Sequence, residues 1–109
     1  GFRQQAEIFS HVKGEGAVVI DSSSIRRHPR QALGALCDAL GLTFTDRMLH
    51  WREGGHPADG VWAKHWYGAV WNSTGLAAPE GPMPDVPKSL LQVLEDAMPY
   101  YESMREYSL

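Results

Sequence analysis

Phe2, Ala6, Phe9 and Val12 recur at three- and four-residue spacing, which predicts a first helix with one apolar face, ended by Gly14 and Gly16. Ala17-Val18-Val19-Ile20 is an unbroken apolar run between turn residues, the pattern of a strand buried on both faces. Asp21 to Ser24 is a polar break where that strand hands over to a helix. His28-Pro29 opens the clearest element, because proline at a first helical position gives up an N–H that would be unpaired there anyway. Ala32, Leu33, Leu36, Cys37 and Leu40 form its apolar stripe, and Gly41 is the expected left-handed stop. After the connector Leu42-Thr43-Phe44, Thr45 can cap a short helical turn through Met48 and Leu49.

Arg52 to Pro57 reads as a loop. A helix is predicted over about 58–72, with Val61, Trp62, His65, Trp66, Ala69 and Val70 facing one way and Gly75 as its stop. Residues 77–87 hold four of the seven prolines and read as an extended linker. A last helix starts near Lys88, with Leu90, Leu91, Leu94 and Met98 inward. Pro99 breaks or kinks it, and residues 100–107 continue as a second helical piece. The chain is thus one domain or fragment, with a strand and helices over 1–76, the linker, and C-terminal helices over 88–109.

One strand among helices is an incomplete inventory. A lone strand leaves backbone N–H and C=O groups unpaired, and the chain offers no convincing second strand. The expectation is therefore a parallel sheet whose other strands lie in sequence outside these residues, or self-association through the open edge. Otherwise residues 17–20 are helical, or a buried connector in an all-helical domain.

Composition sets outer bounds. A chain of 109 residues with 43% hydrophobic and 21% charged residues is sized and balanced for one ordinary globular core. A formal net charge of -3 gives no bulk reason to bind nucleic acid or an anionic membrane. No apolar run approaches the roughly 20 residues that span a bilayer. The single cysteine, Cys37, cannot pair within the chain, which fits a reducing, cytoplasmic setting. The chain opens at Gly1 without a methionine, inside a predicted helix, which points to a fragment or a processed product.

All four tryptophans lie within residues 51–71. Each indole buries a large surface and needs a partner for its N–H. So many cannot all be buried in a core this small, so at least one is expected to line a cleft or sit beneath a missing partner surface.

The run VVIDSSSIRRHPRQALGALCDALGLTF, an apolar strand, an acid, a polar turn and a Pro-started helix ending Leu-Gly, resembles the C-terminal half of P-loop-type sulfotransferases. MLHWREGGHPADGVWAKHWYGAVWNSTGL is similar to a bacterial sulfotransferase-like branch of that group, with several rare residues in the same order. The resemblance covers residues 17–76. It implies an α/β protein on a parallel sheet, of which these residues are the mostly helical C-terminal portion. It also implies 3′-phosphoadenosine 5′-phosphosulfate as sulfuryl donor and a small-molecule hydroxyl or amine acceptor. The family holds its donor in a Gly-containing loop between a strand and a helix. No such loop occurs here, so the donor site is expected outside this segment.

His65, on the predicted apolar face with Trp62 and Trp66, is the catalytic candidate. It can accept a proton from an attacking hydroxyl, with the two tryptophans as acceptor-site walls. The plain structural reading is a core histidine with a satisfied hydrogen bond. His56 and Asp59 flank a loop as a ligand-binding pair, or Asp59 is simply a helix-capping acid. Arg26, Arg27 and Arg30 lie near a helix start, where they attract a phosphate or form a solvated surface. Ser73-Thr74-Gly75 reads as a helix stop, and Tyr100, Tyr101 and Tyr107 as packing for the terminal helix. The histidines lack metal-ligand spacing, so no metal is expected. The alternative function is a non-catalytic helical module that binds a protein partner through the Trp-rich face.

Overall fold

The computed structural model describes all residues, 1–109. Six α-helices are joined by loops and three short 3-10 turns: α1 (Phe2–Val12), α2 (Ser22–Arg27), α3 (Pro29–Ala39), α4 (Ala63–Trp66), α5 (Gly68–Trp71) and α6 (Leu91–Arg105).

Helix α1 begins with the Gly1 ammonium donating to Gln4 Oε1 at 3.0 Å, and Arg3 pairs with Glu7 one turn on, at 2.8 Å. Its apolar stripe lies on α6. Phe2 meets Tyr101 edge-on at 5.5 Å and Phe9 meets Tyr107 at 5.1 Å, so the two helices run in the same direction. The Lys13 ammonium sits 5.7 Å from the Tyr107 ring centre. The C-terminal helix therefore folds back onto the N-terminal one.

Asp21 caps α2, its Oδ1 accepting the Ser23 N–H at 2.7 Å. The residue before a proline is pushed out of the helical region, and His28 sits at φ −137°, ψ 62° between α2 and α3, with Pro29 opening α3 as expected. Gly41 ends the α3 region at φ 66°, a conformation that costs a side-chain-bearing residue far more. The Leu42 N–H then closes back onto the Cys37 carbonyl at 2.8 Å. Thr45 caps the turn Asp46–Met48 by accepting the Arg47 N–H at 3.1 Å. That turn is tied to α3 by the Arg30–Asp46 ion pair at 2.6 Å and by Cys37 Sγ, 3.8 Å from Met48 Sδ.

Three expectations change. Residues 17–20 do not form a strand in a ladder; Val19 makes a single parallel bridge to Ser108, and the Leu109 N–H donates to the Val19 carbonyl at 3.1 Å. The N–H groups of Ala17, Val18 and Ile20 find no backbone partner in the chain. The helix expected over 58–72 is instead two single turns, α4 and α5, meeting at Tyr67 (φ −95°, ψ 7°). Its stripe has no facing element to bury it, and without burial a short helix holding Gly68 does not propagate. Pro99 lies within one continuous helix rather than ending it, because the Glu95 carbonyl it leaves unpaired is on an exposed turn.

Packing is sparse. Only Cys37 and Ala63 are fully buried, each 4% exposed. Leu36, expected at the centre of a core stripe, is half-buried, and Trp66 is 76% exposed. Leu90 and Leu91, expected inward, are exposed as well, while Leu94 and Met98 are half-buried. The radius of gyration is 16.6 Å, against about 13 Å for a compact chain of this length. A compact protein of 12.1 kDa exposes about 6,000 Å², so the 8887 Å² found here is a surplus of about 2,900 Å².

Candidate functional site

One cleft lies where the chain ends meet. Val19, Ile20 and Asp21 pass beside the C-terminal turn of α6, and Phe2 and Gln5 of α1 close one side of a cleft of about 300 Å³. Tyr101 projects from α6 and donates its hydroxyl proton to Asp21 Oδ2 at 2.5 Å. Ser108 Oγ accepts the Asp21 N–H at 3.2 Å. Asp21 thus holds three elements with one residue: it caps α2, receives α6, and takes the chain end through its own N–H.

These bonds set its charge state. The Tyr101 hydroxyl, then the Ser23 N–H and hydroxyl and the nearby Arg27, hold the Asp21 carboxyl below its usual range, partly opposed by burial. The same hydrogen bond, with burial, pushes the Tyr101 phenol up. An Asp with both oxygens occupied and a lowered affinity for protons is a poor general base. It is a latch.

A second cleft of about 460 Å³ adjoins the first, sharing Asp21, Tyr101, Arg105 and Ser108 and adding Ser24, Arg27, His28 and Leu109. Arg26 faces elsewhere. Its guanidinium donates to the Ala78 carbonyl and pairs with Glu80 at 2.5 Å, which fixes the start of the Pro-rich segment against α2. Arg30 pairs with Asp46 and lies 5.7 Å from the Phe44 ring centre. Of the three arginines singled out from the sequence, only Arg27 faces a cleft without a carboxylate partner.

The Trp-rich stretch forms a separate lobe. His50 bridges Gly75 in antiparallel fashion, the Trp51 N–H donates to the Thr74 carbonyl at 3.1 Å, and the Gly54 N–H to the Trp71 carbonyl at 2.7 Å. Two tryptophans are structural. The Trp51 indole donates to Ser73 Oγ at 3.1 Å and the Trp71 indole to Asp59 Oδ2 at 2.9 Å. Asp59 Oδ2 also accepts the His56 N–H at 2.7 Å, and His56 Nδ1 accepts the Ala58 N–H at 3.1 Å. The His56 N–H, then the Trp71 indole, hold the Asp59 carboxyl below its usual range. Asp59 therefore staples a loop instead of capping a helix. Gly55 lies against the Trp71 ring, where an added Cβ would come within 3.0 Å of ring carbon.

The candidate acceptor residues sit on the outside of this lobe. Trp62 is 70% exposed, Trp66 76%, and His65 is exposed. The Trp62 and His65 rings are 6.4 Å apart and tilted by 55°. They share one short turn, but no cavity described above includes them, and the acceptor wall is a surface in this structure. Arg105 and Ser108, which complete the clefts, carried no sequence signal; the polar break at 21–24, Arg27 and Tyr101 were singled out separately, with nothing to bring them together.

No group of three His, Cys, Asp or Glu side chains is close enough to hold a metal ion. No helix is long and apolar enough to cross a membrane.

The profile of a family described as sulfotransferase domain matches residues 1–108. The chain belongs to the sulfotransferase domain family. Among curated proteins it is similar to branched-chain-amino-acid aminotransferase-like protein 1 of Arabidopsis thaliana, 36% identical over 98% of the chain and 20% of that protein. It is also similar to aminotransferase-like protein 2 of the same plant, 33% identical over 96% of the chain and 19% of that protein. The chain spans about one fifth of the length of these curated relatives. No solved structure matches it. This sulfotransferase-domain chain thus carries its best-connected polar residue, Asp21, between α2 and α6, and its free indoles on the Trp-rich lobe.

Proposed function

We propose that the chain is the C-terminal, mostly helical portion of a sulfotransferase whose complete domain is an α/β P-loop-type sheet. That domain transfers a sulfuryl group from 3′-phosphoadenosine 5′-phosphosulfate to a small-molecule hydroxyl or amine acceptor. The observation that carries this reading is the family match across residues 1–108. The open backbone at Ala17, Val18 and Ile20 supports it, because an unpaired apolar segment is a place for a neighbouring strand.

The donor site lies outside these residues. A phosphosulfate group is held by free N–H groups at a helix start following a Gly-rich loop. Here the start of α2 is already filled by the Asp21 carboxylate, which repels an anion, and α3 starts on Pro29, which has no N–H to offer. Neither of these helix starts follows a Gly-rich loop, and no step of the transfer is assigned to this chain's residues through the donor. Trp62, His65 and Trp66 are the acceptor-side candidates, brought to a closed wall only by the rest of the domain.

The exposed Trp62 and Trp66 also favour a second reading, a helical module that docks a protein partner. The exposed area favours the first. A standard protein–protein contact covers about 800 Å² on each partner, well short of the surplus of about 2,900 Å². The remainder of a domain covers that much, whereas a docked partner does so only through an obligate interface of more than about 2,000 Å². The deciding experiment is sulfuryl transfer assayed with the product of the complete reading frame beside the 109-residue chain. Transfer by the former alone supports the proposal, and transfer by neither overturns it.

A further inference from the structure

We infer that the cleft bounded by Arg27, Arg105 and Ser24 is a binding site for a small oxyanion, a phosphate or carboxylate group carried on a ligand. This inference does not rest on the sulfotransferase reading.

The cleft gathers cations from two elements far apart in sequence, Arg27 at the end of α2 and Arg105 at the end of α6, with His28 beside them. Arg3, Arg26 and Arg30 each have a carboxylate partner, whereas none of the chain's ion pairs includes Arg27, Arg105 or His28. The one bond made by the Arg27 guanidinium is a long one from Nε to the Ser23 carbonyl at 3.3 Å, which leaves its terminal N–H groups free. Both arginines act electrostatically on the Tyr101 hydroxyl, so both charges bear on the same point.

The only acidic side chain lining the cleft is Asp21. Its oxygens are taken by Ser23 and Tyr101, so it does not swing out to pair with either arginine without breaking a cap and a latch. Leu109 also lines the cleft, and in the 109-residue chain its terminal carboxylate offsets the second arginine, so recognition rests on the free guanidinium donors rather than on net charge. Guanidinium groups present paired N–H donors that match the oxygens of carboxylate and phosphate. The Ser24 hydroxyl adds a neutral donor at the same wall. Solvent-exposed arginines give weak binding, with a dissociation constant on the order of a millimolar. That separates this site from donor recognition.

The test is a nitrogen–proton NMR titration of the 109-residue chain with inorganic phosphate, with acetate in a second arm and sodium chloride at matched ionic strength in a third. Saturable shifts at Ser24, Arg27, Tyr101 and Ser108 with phosphate, absent with chloride, are expected. Saturation with acetate too identifies a carboxylate source, and phosphate alone a phosphate source. Arg27→Gln and Arg105→Gln should each weaken binding roughly tenfold or more. Unchanged Phe9 and Tyr107 resonances, from the pair that packs α1 on the end of α6, report that the fold around the cleft is kept. Ser24→Glu, which sets a carboxylate in the mouth, should abolish the saturable shifts independently. Shifts that follow chloride equally, or that survive in the double arginine variant, overturn the inference.

Discussion

The Tyr101 hydroxyl donates to Asp21 at 2.5 Å across 80 residues of sequence, and this contact fastens the C-terminal helix to the first turn of α2. Removing the phenol should loosen both ends at once. Tyr101→Phe is expected to cost about 1.5–3 kcal/mol, the range for a hydrogen bond to a charged group. Asp21→Ala should cost about 0.5–2 kcal/mol more, since it also removes the cap of α2. Denaturant unfolding of the two single variants and the double variant measures the coupling; additive losses would show that the bond contributes nothing specific.

The same pair sets the pH response. The folded Asp21 carboxyl titrates below its unfolded value, so the unfolded chain binds more protons in acid. Its contribution is complete above the unfolded value of about 4 and is lost as pH falls through the lower folded value. Tyr101 has the opposite sign. Its phenol is raised, so its contribution is complete below about 10 and is lost as pH rises through the folded value. Stability measured across pH should therefore fall at both ends, and Tyr101→Phe should flatten the acid limb.

In the Trp-rich lobe, the four tryptophans should divide into two classes. Trp66→Ala removes an exposed ring and should change stability by no more than about 0.5 kcal/mol. Gly55→Ala pushes a methyl into the Trp71 ring and should both destabilise the lobe and shift the Trp71 indole resonance. Acrylamide quenching should reach Trp62 and Trp66 and spare Trp71. Equal quenching of all four would mean that the Asp59–Trp71 staple does not form.

Leu36 and Cys37 mark how thin the core is. Leu36→Ala should cost about 1–2 kcal/mol, less than the 2–5 typical of a fully buried leucine, because the side chain is only half-covered. The Cys37 thiol, 4% exposed against Met48, should react with a thiol reagent only after unfolding. Rapid labelling under native conditions would contradict that burial.

What the sequence made legible is what local chemistry decides. Helices α1 and α3, the Gly41 stop, the Pro29 start and the Thr45 cap each follow from neighbours a few residues apart. The broken helix at 63–71 was not legible, because its periodic stripe is real and only the lack of a facing surface interrupts it. The strand at 17–20 reads as buried, yet here it meets only Ser108 and Leu109, because an apolar run encodes burial and not the partner that supplies it. Asp21 was recognisable as the start of a helix, but its bond to Tyr101 was not, since nothing local links positions so distant. His65, Trp62 and Trp66 were found by their rarity and spacing. The structure keeps them on one turn and leaves them open to solvent.

The central claim is that these residues belong to a sulfotransferase and do not themselves hold the donor. Its most direct test is calorimetric titration of the purified 109-residue chain with 3′-phosphoadenosine 5′-phosphosulfate, run beside the product of the complete reading frame. The longer protein is predicted to give a saturable heat in the micromolar range and the 109-residue chain none at those concentrations. Micromolar binding by the 109-residue chain, or no binding by the longer protein, would contradict the claim.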